Sequence, residues 1–163
     1  MPRKGAAFAL TECNQSSFEF ASHFQRQVVA RFDGGTITTD AGALLLRQVE
    51  QRTGILRQFA SCFRDYRRPE RIEHSVAELV RQRVYGMALG YEDLNDHEQL
   101  RRDPLLALLS GKADLEGRRR RREQDGGKPG AGKSTLNRLE LTPAEADESA
   151  RYKKIVMNEK AVD

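Results

Sequence analysis

Tryptophan is absent, and aromatic residues make up only 7% of the 163 residues. Hydrophobic residues reach 38%, low for one evenly packed domain of this length. A folded part beside a solvated part is therefore expected. Two cysteines, Cys13 and Cys62, are too few and too far apart for a disulfide framework or a zinc site. Reduced thiols, and with them a cytoplasmic location, are the simplest reading. No apolar run approaches the roughly 20 residues that span a bilayer, which argues against a membrane partner. The opening MPRKGAAFALTEC carries two basic residues and a very short apolar stretch, so it does not read as a signal peptide.

What is present is arginine, unevenly placed. The net charge is +4 and the pI about 9.3. Residues 1–111 hold 15 basic and 14 acidic side chains, residues 112–138 hold 9 and 4, and residues 139–163 hold 4 and 6. The excess is one block centred on Arg118, Arg119, Arg120, Arg121 and Arg122. Such a block releases counterions from a phosphate backbone, so DNA is the expected partner.

Element by element, residues 1–17 read as a flexible arm. Alternation over Val28–Phe32 predicts a strand, Asp33-Gly34-Gly35 a turn, and Thr36-Ile37-Thr38 a second strand pairing back. Thr39 or Asp40 is then expected to cap a helix with a buried stripe of Ala41, Leu44, Leu45 and Val49, stopped by Gly54. A further helix over Ile55–Phe63 leads into an arginine-rich loop around Pro69. Ser75 and Glu78 form a capping box before the apolar positions Val76, Leu79, Val80, Val84, Met87 and Ala88. Asp93 caps a short helix through Leu100, and Asp103-Pro104 starts another that stops at Gly111. These elements predict an α+β fold, mainly α-helical, with a helical N-terminal domain over residues 18–111. Residues 112–135 read as a basic flexible linker. Residues 136–163 read as a helical segment in which Thr142-Pro143-Ala144-Glu145 caps a helix running to Met157. The chain ends without a cap or polar tail, which reads as interruption.

The run Gly127-Lys128-Pro129-Gly130-Ala131-Gly132-Lys133-Ser134 fits the phosphate-loop formula and supplies the alternative function, nucleotide binding. A phosphate loop follows a hydrophobic strand, whereas five arginines and acids precede this one. Asp33 could start a two-metal site, but a turn explains it. The Asp93, Asp96 and Glu98 group is explained by helix capping, and His23, His74 and His97 lack ligand spacing. The candidate DNA contacts are Arg81, Arg83, Arg101, Arg102, the five arginines 118–122, Lys128, Lys133 and Arg138. No catalytic and no metal-binding residue is assigned.

Three stretches, RFDGGTITTDAGALLLRQVE (31–50), HSVAELVRQRVYGMALGYEDLNDHEQLRRDPLLALLSGK (74–112) and GKSTLNRLEL (132–141), together resemble one family. TECNQSSFEF, from Thr11, fits as well. The chain resembles the N-terminal third of bacterial DDE transposases of insertion-sequence family thirteen-eighty. The resemblance implies DNA transposition, a divalent metal such as magnesium for the full-length family, and pairing with full-length transposase or self-association. It also implies an RNase H-like catalytic domain that starts beyond the region seen here and is absent from this chain. No position matches the catalytic acids, so none is carried over.

Overall fold

The structure, a computed structural model, describes residues 17–34, 37–158 and 161. The chain begins in a hairpin of β1 (Ser17–His23) and β2 (Arg26–Arg31), antiparallel with Phe18 opposite Ala30 and Phe20 opposite Val28. The hairpin's second strand therefore pairs with the segment before it. Ile37 and Thr38 lie outside any strand, and Thr36 is outside the described residues. The turn at Phe24-Gln25 carries none of the residues that announce a turn, and Phe24 adopts a φ of 54°.

Helix α1 (Ala43–Thr53) is entered through Gly42 with no side-chain cap, so neither Thr39 nor Asp40 caps it. Ala43, Leu44 and Arg47 form its buried face, while Leu45 and Val49, expected inside, are exposed. Arg47 reaches back to the hairpin, donating to the carbonyls of Ala21 at 2.8 Å and Ser22 at 3.1 Å. Gly54 ends α1 in the left-handed conformation and opens α2 (Ile55–Ser61). A short strand, β3 (Phe63–Asp65), and a turn over Pro69–Arg71 follow.

Helix α3 (Val76–Ala88) is the centre of the fold. Its capping box is complete: Ser75 accepts from the Glu78 amide, and the Glu78 carboxylate accepts from the Ser75 amide at 2.8 Å. Leu79 and Val80 enter one apolar cluster with Ala60, Ala131, Leu136, Leu139 and Ile155. Tyr85 enters a second cluster with Val28, Ala43, Leu44, Leu106 and Leu109. Helices α4 (His97–Leu100) and α5 (Pro104–Ser110) follow, the latter capped by Asp103, begun by Pro104 and stopped by left-handed Gly111.

The stretch expected as a flexible linker is instead folded onto the helices. Pro129 through Gly132 are buried, and Ala131 is fully so. The reason is Gln82 on α3, itself 1% exposed. Its amide accepts from the Ala131 N–H and donates to the Ala131 carbonyl, both at 2.8 Å. Its remaining hydrogen meets His97 Nδ1 at 3.2 Å. The neighbouring Gly130 amide donates to the Arg101 carbonyl at 2.9 Å. A Cβ on Gly130 would lie 2.9 Å from the Arg101 Cα, so only glycine permits this approach.

Helix α6 (Lys133–Glu140) buries Leu136 and Leu139. The helix expected from Thr142 to Met157 does not form. Residues 142–154 are turns and irregular backbone, and β4 (Ile155–Met157) follows, antiparallel to β3 with Asp65 opposite Ile155. Residues 144–154 offer no apolar stripe for a helix to bury, whereas Ile155 and Val156 suit a strand.

Replacing Gln82 by Leu removes both partners of the Ala131 peptide inside the core. Unpaired buried backbone groups cost about 1–3 kcal/mol each, so Gln82→Leu is expected to lower unfolding stability by about 2–4 kcal/mol in chemical denaturation. Trypsin should then cut faster within residues 118–122; unchanged stability and cleavage would show that the loop is held otherwise.

Candidate nucleic-acid interface

The 12 basic candidates do not form one surface. Arg81 approaches Glu50 at 3.9 Å and lines a separate hollow with His23, Arg47 and Tyr85. Arg83 is engaged inside the fold: it pairs with Glu140 and donates to the carbonyls of Tyr91 at 3.2 Å and Glu92 at 2.7 Å. Arg102 is exposed. Arg118 pairs with Glu116, and the Arg119 amide is held by Asp114 at 2.7 Å. Lys128 donates to the Gln124 carbonyl at 2.6 Å.

Of the remaining candidates, Arg101, Arg120, Arg121, Arg122 and Arg138 converge, and Lys133 does not. A cleft of about 780 Å3 lies between the Pro69–Arg71 turn, the loop over 120–125 and the start of α6. Seven arginines line it, Arg67, Arg71, Arg101, Arg120, Arg121, Arg122 and Arg138, against the carboxylates of Glu73, Glu98 and Asp125. Four of the seven are engaged. Arg67 forks onto Asp65 at 2.7 and 2.8 Å. Arg101 pairs with Asp125 at 2.8 Å, Arg120 with His74 Nε2 at 2.8 Å, and Arg121 with the Glu70 carbonyl at 2.9 Å. No ion pair or side-chain hydrogen bond engages Arg71, Arg122 or Arg138 among the described residues. These three are the unpaired arginines of the cleft among the described residues.

Arg67 and Arg71 are absent from the sequence-derived set. Their signal was the cluster Arg67-Arg68-Pro69-Glu70-Arg71, three arginines in five residues and less dense than the later run. Conversely, Arg120 belongs to the run but points inward. Its side chain is 9% exposed and approaches Glu73 at 3.6 Å.

His74, at the bottom of the cleft, is 5% exposed. Burial pulls its pKa down to about 2, helped by the positive charges of Lys112, Arg120, Arg101 and Arg67. Lys112, also buried, donates to Glu78 at 2.8 Å and to the Glu73 carbonyl at 2.9 Å. Burial lowers its pKa too, against the opposing pull of Glu78.

The glycine-rich run is not built to cradle phosphates. Among the described residues no strand leads directly into it; a single helical turn over Glu123–Asp125 does. Its Gly130, Ala131 and Lys133 amides already donate to the Arg101 carbonyl, Gln82 and the Glu98 carboxylate. The carboxylate at the start of α6 occupies the place where a phosphate would need to sit. Lys133 itself is exposed, 3.0 Å from the Asn95 side chain. Asp33 sits beside an apolar groove, and Asp40 accepts from the Tyr91 hydroxyl at 3.1 Å.

A model of the transposase DDE domain group 1 family matches residues 20–163. The chain belongs to that transposase family. Neither the curated proteins nor the solved structures contain a match. DDE transposases generally use a divalent metal. Among the described residues, no group of three or more His, Cys, Asp or Glu side chains is arranged to hold a metal ion. Those residues do not fit the metal, and no catalytic step is assigned to them. No helix among the described residues is long and apolar enough to cross a membrane.

Two outcomes follow for this transposase chain. Lys133→Ala should leave the melting temperature and any affinity for magnesium-nucleotide unchanged; a loss of measurable ATP binding would restore a phosphate loop. For His74, the unfolded ring titrates at 6.5 and the native ring at about 2. Below pH 6.5 the unfolded chain binds a proton that the native chain does not, so stability falls as pH drops, by up to about 1.4 kcal/mol per unit. His74→Gln should reduce that slope between pH 6.5 and 4.5 in urea titrations; an unchanged slope would place the acid sensitivity elsewhere.

Proposed function

We propose that this part of the transposase holds DNA, with the arginine cleft as its contact surface. The carrying observation is that Arg71, Arg122 and Arg138, from three separate segments, line one cleft with no side-chain partner among the described residues. Paired arginines brace the walls. Unpaired ones face the opening and are available to displace counterions from phosphates. Contacts of this kind fix position and give affinity without reading sequence. Within this reading the chain serves a bacterial insertion-sequence transposase of family thirteen-eighty and acts in the cytoplasm. A second transposase chain is its expected protein partner, and metal-dependent strand chemistry is carried by residues other than those described. Arg102, Arg118 and Arg119 lie outside the cleft and supply additional general attraction.

The test is anisotropy with a labelled duplex across a salt series. Each phosphate contact adds about 0.9 to the slope of log affinity against log salt. Combining Arg71→Gln, Arg122→Gln and Arg138→Gln should flatten the slope by about 2 to 3 units and weaken binding to insertion-sequence ends and scrambled duplexes alike. The pair Arg118→Gln and Arg119→Gln should change it less. A triple variant with the full wild-type slope would remove the cleft from the DNA contact.

A further inference from the structure

We propose that the floor of this cleft is a site for one phosphate monoester, the terminal phosphate of a DNA strand, taken by His74, Arg101 and Arg120. The inference rests on the DNA-holding reading of the cleft and assigns its deepest subsite.

Among the described residues, five buried side-chain atoms lack a hydrogen-bond partner: His74 Nδ1, Tyr85 Oη, His97 Nε2, Arg101 Nε and Arg120 Nε. Three of the five belong to residues lining the cleft. All three are donors. An arginine Nε always carries hydrogen. His74 Nε2 faces an Arg120 Nη1 donor at 2.8 Å, so it accepts and the ring hydrogen sits on Nδ1. Buried donors without acceptors are rare and call for a missing partner. The three donors are covered by their neighbours, so an oxygen-rich anion reaches them by displacing the loosely held Glu73 and Glu98 carboxylates.

The carboxylates nearby leave that demand partly unmet. Glu73 stands 3.6 Å from Arg120, and Glu98 stands 3.6 Å from Arg101. Charge-assisted hydrogen bonds are shorter, about 2.7–2.9 Å. Both guanidinium groups therefore keep one loose contact that a phosphate oxygen can replace. The floor is also deep: the Arg120 and Arg101 side chains are 9% and 13% exposed, whereas Arg71 and Arg122 at the rim are open. An internal phosphodiester is held at the duplex surface by a sugar on each side. A terminal phosphate projects from the strand, brings three terminal oxygens for three donors, and carries the greater charge.

The test uses the full chain and two duplexes of one sequence, with a 5′-phosphate or a 5′-hydroxyl. The phosphorylated duplex should bind about tenfold tighter, the factor expected from one charge-assisted hydrogen bond. His74→Gln, or Arg120→Lys if the first does not fold, should abolish the difference while retaining affinity for the hydroxyl duplex. Inorganic phosphate alone should shift the His74 ring signals in nitrogen-edited NMR. Equal affinity for the two wild-type duplexes overturns the strand-end site and leaves the DNA reading standing. A ring shift with inorganic phosphate but no discrimination between duplexes also overturns it, since the site then takes only a free anion. Failure of both duplexes to bind overturns the DNA reading itself.

Discussion

The pairing of Gln82 with the Ala131 peptide holds the molecule's two halves of sequence together. A glutamine inside a helix is an unusual core residue because its amide needs three or four partners. Here the Ala131 carbonyl and N–H satisfy two of them and His97 a third. The peptide group gains in return an acceptor and a donor inside the core. Once Ala131 is seated, Leu136 and Leu139 follow into the same apolar cluster, and β4 closes over it through Ile155. The arginine-rich loop is carried along, because it lies between two anchored ends: Lys112, tied to Glu78, and Pro129–Gly132, tied to α3.

That constraint sorts the arginines. Five adjacent guanidinium groups in water repel one another and remain solvated. Fixing the loop brings Arg120 against His74 and Glu73, and Arg121 against the Glu70 carbonyl, while Arg122 stays open. Each engaged arginine loses its mobile counterion, so it contributes less to salt-dependent binding than its charge suggests. Composition overstates the electrostatic footprint of the run for this reason. It understates that of the cleft, whose remaining members come from other segments.

What could be read from the sequence was what is local. The capping box of α3, the Asp103-Pro104 start and Gly111 stop of α5, and the Gly54 break each rest on neighbours within four residues, and each is present. Nonlocal pairings were not legible. Val28–Phe32 reads as a strand, but its partner is upstream, across a Phe24-Gln25 turn with no turn signature. The final segment carried a good helix start at Thr142 and nothing for a helix to bury. The family resemblance was legible from long runs, and the match over residues 20–163 bears out the transposase part of it. Of the three unpaired arginines lining the cleft, Arg122 and Arg138 were among the candidates read from the sequence, and Arg71 was not.

The phosphate-loop formula shows how one sequence pattern answers to two different physical demands. Glycines there can let backbone amides close around phosphates, or they can let two backbones touch. In this chain Gly130 does the second, lying against Arg101 with no room for a Cβ. The same close approach brings Arg101 and the start of α6 to the cleft, which places Arg138 opposite Arg122 and Arg71 around one opening. On the proposed reading, docking of the loop and capture of an anion are therefore linked. A polyanion that binds only the assembled cleft stabilises the docked loop by mass action, and a loop held down by Gln82 presents the cleft already formed. On the proposed reading the glycine-rich run contributes to the cleft indirectly, by backbone packing, while its own amides bond to protein.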